Sequence, residues 1–162
     1  MRRPVFLSFC YDDDVERVQQ IRNMGMVEEQ QILNPNDFEE VKRKGDLAIK
    51  NWIDKQLMYK QCLIVLIGEN TADRPFVKYE IMKAKEKNMP MFGIYIHNLK
   101  NLRGYKSNQG KDPFVEVFGE NNGYKCINPS HIELDGYKAY NTIYKNIASW
   151  IEDAIIENRY RN

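Results

Sequence analysis

The sequence predicts one α/β domain with a flavodoxin-like, mainly parallel sheet of four or five strands. Short apolar runs alternate with segments of helical periodicity, and the clearest runs are continuously apolar. Strands that are apolar on both faces are usually buried between two layers of helices, as in parallel sheets. The length of 162 residues suits one core, and no linker or repeat divides the chain, so we expect residues 1–162 to form a single domain.

The elements of the first half follow from apolar runs and helix-start signals. Val5–Phe9 is predicted as a buried strand, and Asp12–Asp14 supply an N-cap and first-turn acids for a helix to about Met26. Ile32–Leu33 is predicted as a weak strand. The next helix is predicted at Gly45–Leu57, because apolar residues recur on one of its faces. Those residues are Ile49, Trp52, Ile53 and Leu57.

Three further elements complete the predicted sheet and its helical cover. Cys62–Ile67 is the clearest strand, since its six consecutive apolar residues end at Gly68. Asp73-Arg74-Pro75 opens a helix to about Asn88, with proline in the first turn, where no intrahelical partner for its nitrogen is needed. Met91–Ile96 is predicted as another buried strand.

The last third of the chain is less regular. His97–Gly136 is rich in glycine, asparagine and lysine, with one more short strand predicted near Tyr124–Ile127. An irregular segment of this length in a compact domain is usually functional or mobile. A strongly amphipathic pattern predicts the final helix at about Ala139–Glu157.

Composition narrows the classes of function. The net charge of +1 provides no electrostatic reason to expect nucleic acid or an anionic membrane as a partner. There is no run of about 18 apolar residues, and only a short apolar run follows the basic start Met1–Arg3, so we expect no membrane span and no signal peptide. The three cysteines form no CxxC pair and lie far from ligand-like spacing with His97 or His131. They predict reduced thiols in a cytoplasmic protein and no metal site.

A ligand site is expected at the carboxyl edge of the parallel sheet. Ser8, Phe9 and Tyr11 end the first strand, where the Ser8 hydroxyl could donate a hydrogen bond and the Tyr11 ring could stack on a ligand. Phe9 is equally compatible with a place in the core. Asp37 follows the predicted second strand and could contact the same pocket. The segments expected at this edge are 10–14, 34–37, 68–74 and the loop after Ile96.

Glu80 is the most informative residue of the predicted edge. At 100° per residue, Val77, Ile81 and Ala84 define the buried stripe of its helix, and Glu80 lies about 60° from Val77, at the margin of that stripe. Two interpretations stay open. An acid near a helix start complements the macrodipole without any chemistry, or the carboxylate serves a ligand site.

Several stretches resemble TIR domains. Val5–Phe9 is similar to their first strand, and residues 62–71 are similar to a later strand and its polar turn. The stretch Arg74-Pro-Phe-Val-Lys-Tyr-Glu80-Ile is similar to the aromatic-x-x-x-Glu motif that opens their helix. Within that superfamily the chain, over about Pro4 to Phe114, resembles the TIR-like subunits of Thoeris antiphage systems. The shared stretches are Ser8-Phe9, Tyr11, Asp46–Lys50, Val77–Lys83 and Gly93–His97.

The resemblance implies a function as well as a fold. It implies that the nicotinamide–ribose bond of NAD is cleaved, with Glu80 as the essential carboxylate and NAD as substrate rather than cofactor. Phe76 stands where many TIR domains have tryptophan, and we expect it to form a wall of the substrate site; residues 34–44 correspond to the family's binding loop. The resemblance further implies a cyclic or conjugated ADP-ribose signal in bacterial defence, a homo-oligomer when active, a phage-derived trigger and a downstream effector protein that senses the product.

One carboxylate is enough for this chemistry. Glycosidases use two, because their alkoxide-like leaving group must be protonated, whereas nicotinamide leaves as a neutral pyridine. The carboxylate would stabilise the oxocarbenium-like ribose by charge and hydrogen bonding, more strongly in a low-dielectric site. Attack by water gives ADP-ribose. Attack by an atom of the bound dinucleotide gives a cyclic isomer, which a water-poor site favours.

Other functions predict different features. A non-enzymatic assembly module could use the same fold, with Glu80 as a helix-start acid, and a nucleoside-processing transferase would also use a glutamate. A phosphoacceptor receiver domain needs an aspartate at the end of the third strand, where this chain has Ile67-Gly68-Glu69. A cysteine phosphatase loop fails on spacing, because Arg17 follows Cys10 one position too late, and the residues between them lack the glycines that cradle phosphate.

Overall fold

A five-stranded parallel sheet forms the centre of the computed structural model, which describes residues 2–33, 35–129 and 136–161. The strands are β1 (Pro4–Ser8), β2 (Glu28–Glu29), β3 (Cys62–Ile67), β4 (Met91–Tyr95) and β5 (Cys126–Ile127). Their spatial order is β2-β1-β3-β4-β5, and each neighbouring pair is parallel. The predicted flavodoxin-like class is therefore confirmed.

Helices cover both faces of the sheet. They are α1 (Tyr11–Asn23), α2 (Pro35–Arg43), α3 (Asp46–Leu57), α4 (Pro75–Glu86), α5 (Pro113–Phe118) and α6 (Gly136–Arg159). Buried residues of α1 and α6 pack on one face, and those of α3, α4 and α5 pack on the other. Every residue of β3 is buried, and its side chains alternate between these two cores, as its continuous apolar sequence predicts.

Two short helices of the structure were not predicted from the sequence. Residues 34–37 were predicted as loop, but α2 begins at Pro35. α5 lies inside the segment predicted as irregular. Its start is marked locally, because the Asp112 carboxylate accepts hydrogen bonds from the backbone N–H groups of Phe114 and Val115 and Pro113 occupies the first turn. These are the usual signals of a helix N-terminus.

Two predictions about the first βα unit were wrong in detail. The N-cap of α1 is Cys10, without a side-chain cap, and Asp12–Asp14 lie in the first turn, where they complement the helix dipole. The helix ends at Asn23 rather than near Met26. It gives way to a turn in which Gly25 has a φ of 69°, a conformation that glycine adopts without strain.

The predicted strand at Ile32–Leu33 is also wrong, because β2 lies earlier and ends at Glu29. The buried side chain of Gln30 explains where the ladder stops. Its Oε1 accepts a hydrogen bond from the Leu7 N–H at 2.8 Å, and its Nε2 donates to the Leu7 carbonyl at 2.8 Å. The side-chain amide thus replaces the backbone partner that a longer β2 would supply, and the chain is free to leave the sheet.

The loop after β4 is fixed over the carboxyl edge of the sheet. The buried Arg17 side chain donates to the carbonyls of Leu99 at 2.7 Å and Tyr105 at 3.0 Å, and it also pairs with Asp14 at 3.0 Å. Gly110 lies so close to the Gly68 carbonyl that no Cβ would fit between them. Hydrogen bonds from the Arg17 side chain of α1 therefore hold this loop in place over the edge of the sheet.

The substitution Gln30→Leu tests the side-chain amide pairing. It leaves the buried N–H and C=O groups of Leu7 without partners, and we expect it to lower the free energy of unfolding by roughly 2 kcal/mol or more. Gln30→Glu keeps the acceptor for the Leu7 N–H but loses the donor to the Leu7 carbonyl, so it should also destabilise the fold. The control is Gln31→Leu, at the exposed neighbouring position. Equal urea midpoints for the Gln30→Leu and Gln31→Leu variants would contradict the assignment.

Candidate active site

A cavity of about 250 Å³ lies at the carboxyl edge, between the end of β1, the chain after β2 and the first turns of α4. The helices α2 and α3 close its other side. Its walls are mainly apolar, with a few polar groups among them, which is typical of small-molecule sites. The lining includes Phe9, Cys10, Tyr11, Asp12, Gln30, Leu33, Lys42, Trp52, Arg74, Phe76 and Glu80.

Glu80 lies in this cavity and is held by Ser8. The Ser8 hydroxyl donates to Glu80 Oε1 at 2.6 Å. Both residues are buried, Ser8 completely and Glu80 with 8% of its surface exposed. The two-residue period of β1 turns Ser8 to the same face of the sheet as Phe6, and that face packs against α4. The sequence placed Glu80 at the margin of the apolar stripe, and the fold buries it.

Burial changes the acidity of this carboxyl group. Removal from water raises the pKa of Glu80 to about 8, and the hydrogen bond from Ser8 opposes that rise only in part. No cation is among the causes of the shift. At neutral pH the group is therefore mostly protonated, and a positive charge close to it would lower its pKa.

Aromatic side chains form much of the cavity wall. The rings of Phe9 and Tyr11 stack with centroids 6.1 Å apart and planes inclined by 29°. The Tyr11 hydroxyl donates to the Leu33 carbonyl at 2.8 Å and so ties the chain after β2 to the start of α1. Phe76 and Trp52 are half-buried members of the same wall. Flat apolar surfaces of this kind suit an aromatic ring of a ligand.

The structure groups most, but not all, of the residues that the sequence singled out. Phe9, Tyr11, Phe76 and Glu80 line the cavity, and Ser8 lies behind Glu80. Asp37 does not line it, because it is exposed on α2. Its charge nevertheless acts there, since burial, Asp12 and Asp37 together raise the pKa of Tyr11. The part of Asp37 in substrate binding remains a prediction.

The cavity is also lined by Gln30, Lys42 and Arg74, which were not among the predicted site residues. Gln30 lies between the first predicted helix and the predicted strand Ile32–Leu33, where no element was predicted, and its role depends on a contact with β1 that no local pattern reveals. Lys42 lies on the missed helix α2. Arg74 was predicted to open a helix and to end the edge segment 68–74, but it was not singled out as a ligand-binding residue. Together Lys42 and Arg74 provide positive charge on two walls of the cavity.

Two classes of feature are absent from the described residues. Within residues 2–33, 35–129 and 136–161, no group of three or more histidine, cysteine, aspartate or glutamate side chains could hold a metal ion. In the same part of the chain, no helix has the length and apolar character needed to cross a membrane.

The fold and the cavity define a TIR-like α/β domain with a buried acid at the carboxyl edge of its sheet. Residues 6–101 match the family described as "Thoeris protein ThsB, TIR-like domain", and the chain belongs to that family. It is also similar to the protein named "Putative cyclic ADP-D-ribose synthase ThsB1" from Bacillus cereus (strain MSX-D12), with 34% identity over 119 residues. The match covers 70% of this chain and 62% of the relative, which is less than two thirds of the relative's length.

The stability of the protein should report the burial of Glu80. The pKa of the folded state, about 8, lies above the ordinary value of 4.5, so the unfolded chain releases this proton first. The wild-type protein should therefore lose stability relative to Glu80→Gln as the pH rises from about 4.5 to about 8. A tenfold change in proton affinity is worth about 1.4 kcal/mol, so we expect a difference of roughly 3–5 kcal/mol across this window.

Urea unfolding at several pH values measures this difference. The control is Glu86→Gln, an exposed position on the same helix, for which we expect no such trend. A Glu80→Gln advantage that stays constant between pH 5 and pH 8 would refute the buried-acid assignment.

Proposed function

We propose that the chain is an NAD-consuming enzyme that cleaves the nicotinamide–ribose bond and forms a cyclic or conjugated ADP-ribose signal. The observation that carries this proposal is the buried Glu80 carboxyl group, bonded to Ser8 in an aromatic-lined cavity at the carboxyl edge. The family membership and the printed name of the Bacillus cereus relative support the same reaction class.

The bond cleavage needs a negative charge more than it needs an acid. As the bond between C1′ and the pyridinium nitrogen breaks, its electron pair passes to that nitrogen, and nicotinamide leaves uncharged. The ribose carbon then carries positive charge, which the ionised Glu80 would stabilise in a cavity with little water. One carboxylate, that of Glu80, is sufficient for that role.

The substrate itself would generate the active ionic form. Free Glu80 is mostly protonated at neutral pH, because burial raises its pKa to about 8. The nicotinamide ring of NAD is a cation, and a cation close to a carboxyl group lowers the pKa of that group. Binding of NAD would thus displace the proton of Glu80, and the carboxylate would form next to the positive charge of the nicotinamide ring.

The product depends on the nucleophile that reaches C1′. Water would give ADP-ribose and release a proton. An atom of the bound ADP moiety would close a ring instead and release its own proton or pass it to Glu80. The rings of Phe9, Tyr11 and Phe76 line the wall, and apolar walls of this kind would limit the access of water to C1′, which favours the second course. A cyclic or conjugated product would suit a signalling role.

The biological setting belongs to the same proposal. We expect the protein to act in the cytoplasm of a bacterium, as a homo-oligomer when active, in response to a phage-derived trigger. A downstream effector protein would sense the product. These expectations rest on the membership of the Thoeris ThsB family.

Mass spectrometry of small molecules tests the reaction. The purified protein with NAD, and cells challenged with phage, should contain an ADP-ribose-derived species that is missing for Glu80→Gln and present for the matched control Glu86→Gln. We expect the loss at Glu80 to be at least about 100-fold, as for other charge-stabilising groups. Unchanged NAD and no new species, in infected cells and with concentrated protein, would favour a non-enzymatic assembly module.

The pH dependence of turnover tests the ionisation step. kcat/KM reports groups of the free enzyme, so it should rise with pH up to about 8, where Glu80 ionises, and then level off. kcat at saturating NAD should reach its plateau at a lower pH, because the bound cation lowers the pKa of Glu80. A kcat/KM profile that is flat between pH 6 and pH 8.5 would contradict the proposed role.

A further inference from the structure

We infer that Arg74 binds the diphosphate group of the substrate and so makes the cavity selective for nicotinamide compounds that carry phosphate. This inference rests on the proposed function and adds to it a residue that determines specificity. It concerns the rim of the cavity, whereas Glu80 and Ser8 act at its buried end.

The position of Arg74 relative to Glu80 suits the two ends of one ligand. Both residues line the same cavity and belong to the same helical segment. Arg74 is the N-cap of α4, and Glu80 follows six positions later, which is about 9 Å along a helix axis. In a nucleotide the phosphate on the 5′ oxygen lies across the ribose from the glycosidic carbon, so a ligand with that carbon at Glu80 would extend along the cavity toward Arg74.

The Arg74 guanidinium retains donors for a ligand. Its side chain is 42% exposed, and its ion pair with Asp13 Oδ2 is long, at 3.7 Å. The same Asp13 oxygen already accepts a hydrogen bond from Asn70 Nδ2 at 2.8 Å. An exposed ion pair of this length contributes little energy, so the guanidinium can turn to a phosphate at small cost.

Arg17 provides a contrast within the same edge of the sheet. Its buried guanidinium is committed to the carbonyls of Leu99 and Tyr105 and to the Asp14 carboxylate. Arg17 is therefore a structural cation, whereas Arg74 lines a cavity. The planar fork of arginine donors matches phosphate oxygens in a bidentate way, and the N-terminal end of α4 adds a partial positive charge on the same side.

Binding measurements in a Glu80→Gln background test the inference without turnover. The double variant Glu80→Gln/Arg74→Gln is compared with Glu80→Gln/Lys83→Gln, which loses the same charge further along α4. Lys83 pairs with Glu86 and does not line the cavity. The probes are NAD, ADP and nicotinamide riboside, the last of which has no phosphate.

We expect Arg74→Gln to weaken the binding of NAD and ADP by about 10-fold to 100-fold. It should leave the binding of nicotinamide riboside unchanged. The salt dependence of NAD binding should also become shallower, and Arg74→Lys should restore part of the affinity. A merely structural role of Arg74 would weaken all three probes alike.

The outcomes separate the two proposals. Equal affinities of the Arg74→Gln and Lys83→Gln variants for both NAD and ADP would overturn the role of Arg74. The proposed function would be unaffected by that result if the wild-type protein, which retains Glu80, turns over NAD. If the wild-type protein neither cleaves nor binds NAD, the proposed function fails. In that case a loss of ADP binding on Arg74→Gln would still support an anion site at Arg74. Unchanged ADP binding would overturn that site.

Discussion

The hydrogen bond between Ser8 and Glu80 is the contact around which the ligand edge of this protein is arranged. A carboxyl group that is nine-tenths buried destabilises a fold unless it is neutral or well bonded. Here a single hydroxyl bonds one oxygen, and the raised pKa keeps the group neutral in the free protein. The strand β1 and the helix α4 meet at this contact, so the geometry of the sheet determines where the acid can act.

The surrounding backbone is held by side chains rather than by a longer sheet. Gln30 completes the edge of β1, Tyr11 ties the chain after β2 to the start of α1, and Arg17 anchors the loop that follows β4. Each of these bonds engages a backbone carbonyl or N–H group, at Leu7, Leu33 or Leu99. These contacts thereby fix the backbone of the carboxyl edge around the cavity.

The mainly apolar cavity wall and the buried acid Glu80 are well matched in this arrangement. The aromatic wall of Phe9, Tyr11 and Phe76 can stack against a flat ring, and it also lowers the local dielectric constant. The same low dielectric that makes the free carboxylate costly makes its attraction to a cationic ligand strong. The low dielectric constant of the wall therefore favours the protonated form of Glu80 unless a positive charge lies close to it.

The sequence by itself determined the fold class, the clearest strands and the helix that carries Glu80. Continuous apolar strands, such as Cys62–Ile67, and helix signals, such as Arg74-Pro75, act over a few neighbouring residues, and so they can be read locally. The candidate site residues Ser8, Phe9, Tyr11 and Phe76 were predicted from the end of a strand and from the family resemblance. Only the tertiary structure decided the end of β2, the burial of Glu80 and the place of Arg74 on the cavity wall. Those features depend on contacts between residues distant in sequence, such as Gln30 with Leu7 and Ser8 with Glu80, and no local periodicity encodes such contacts.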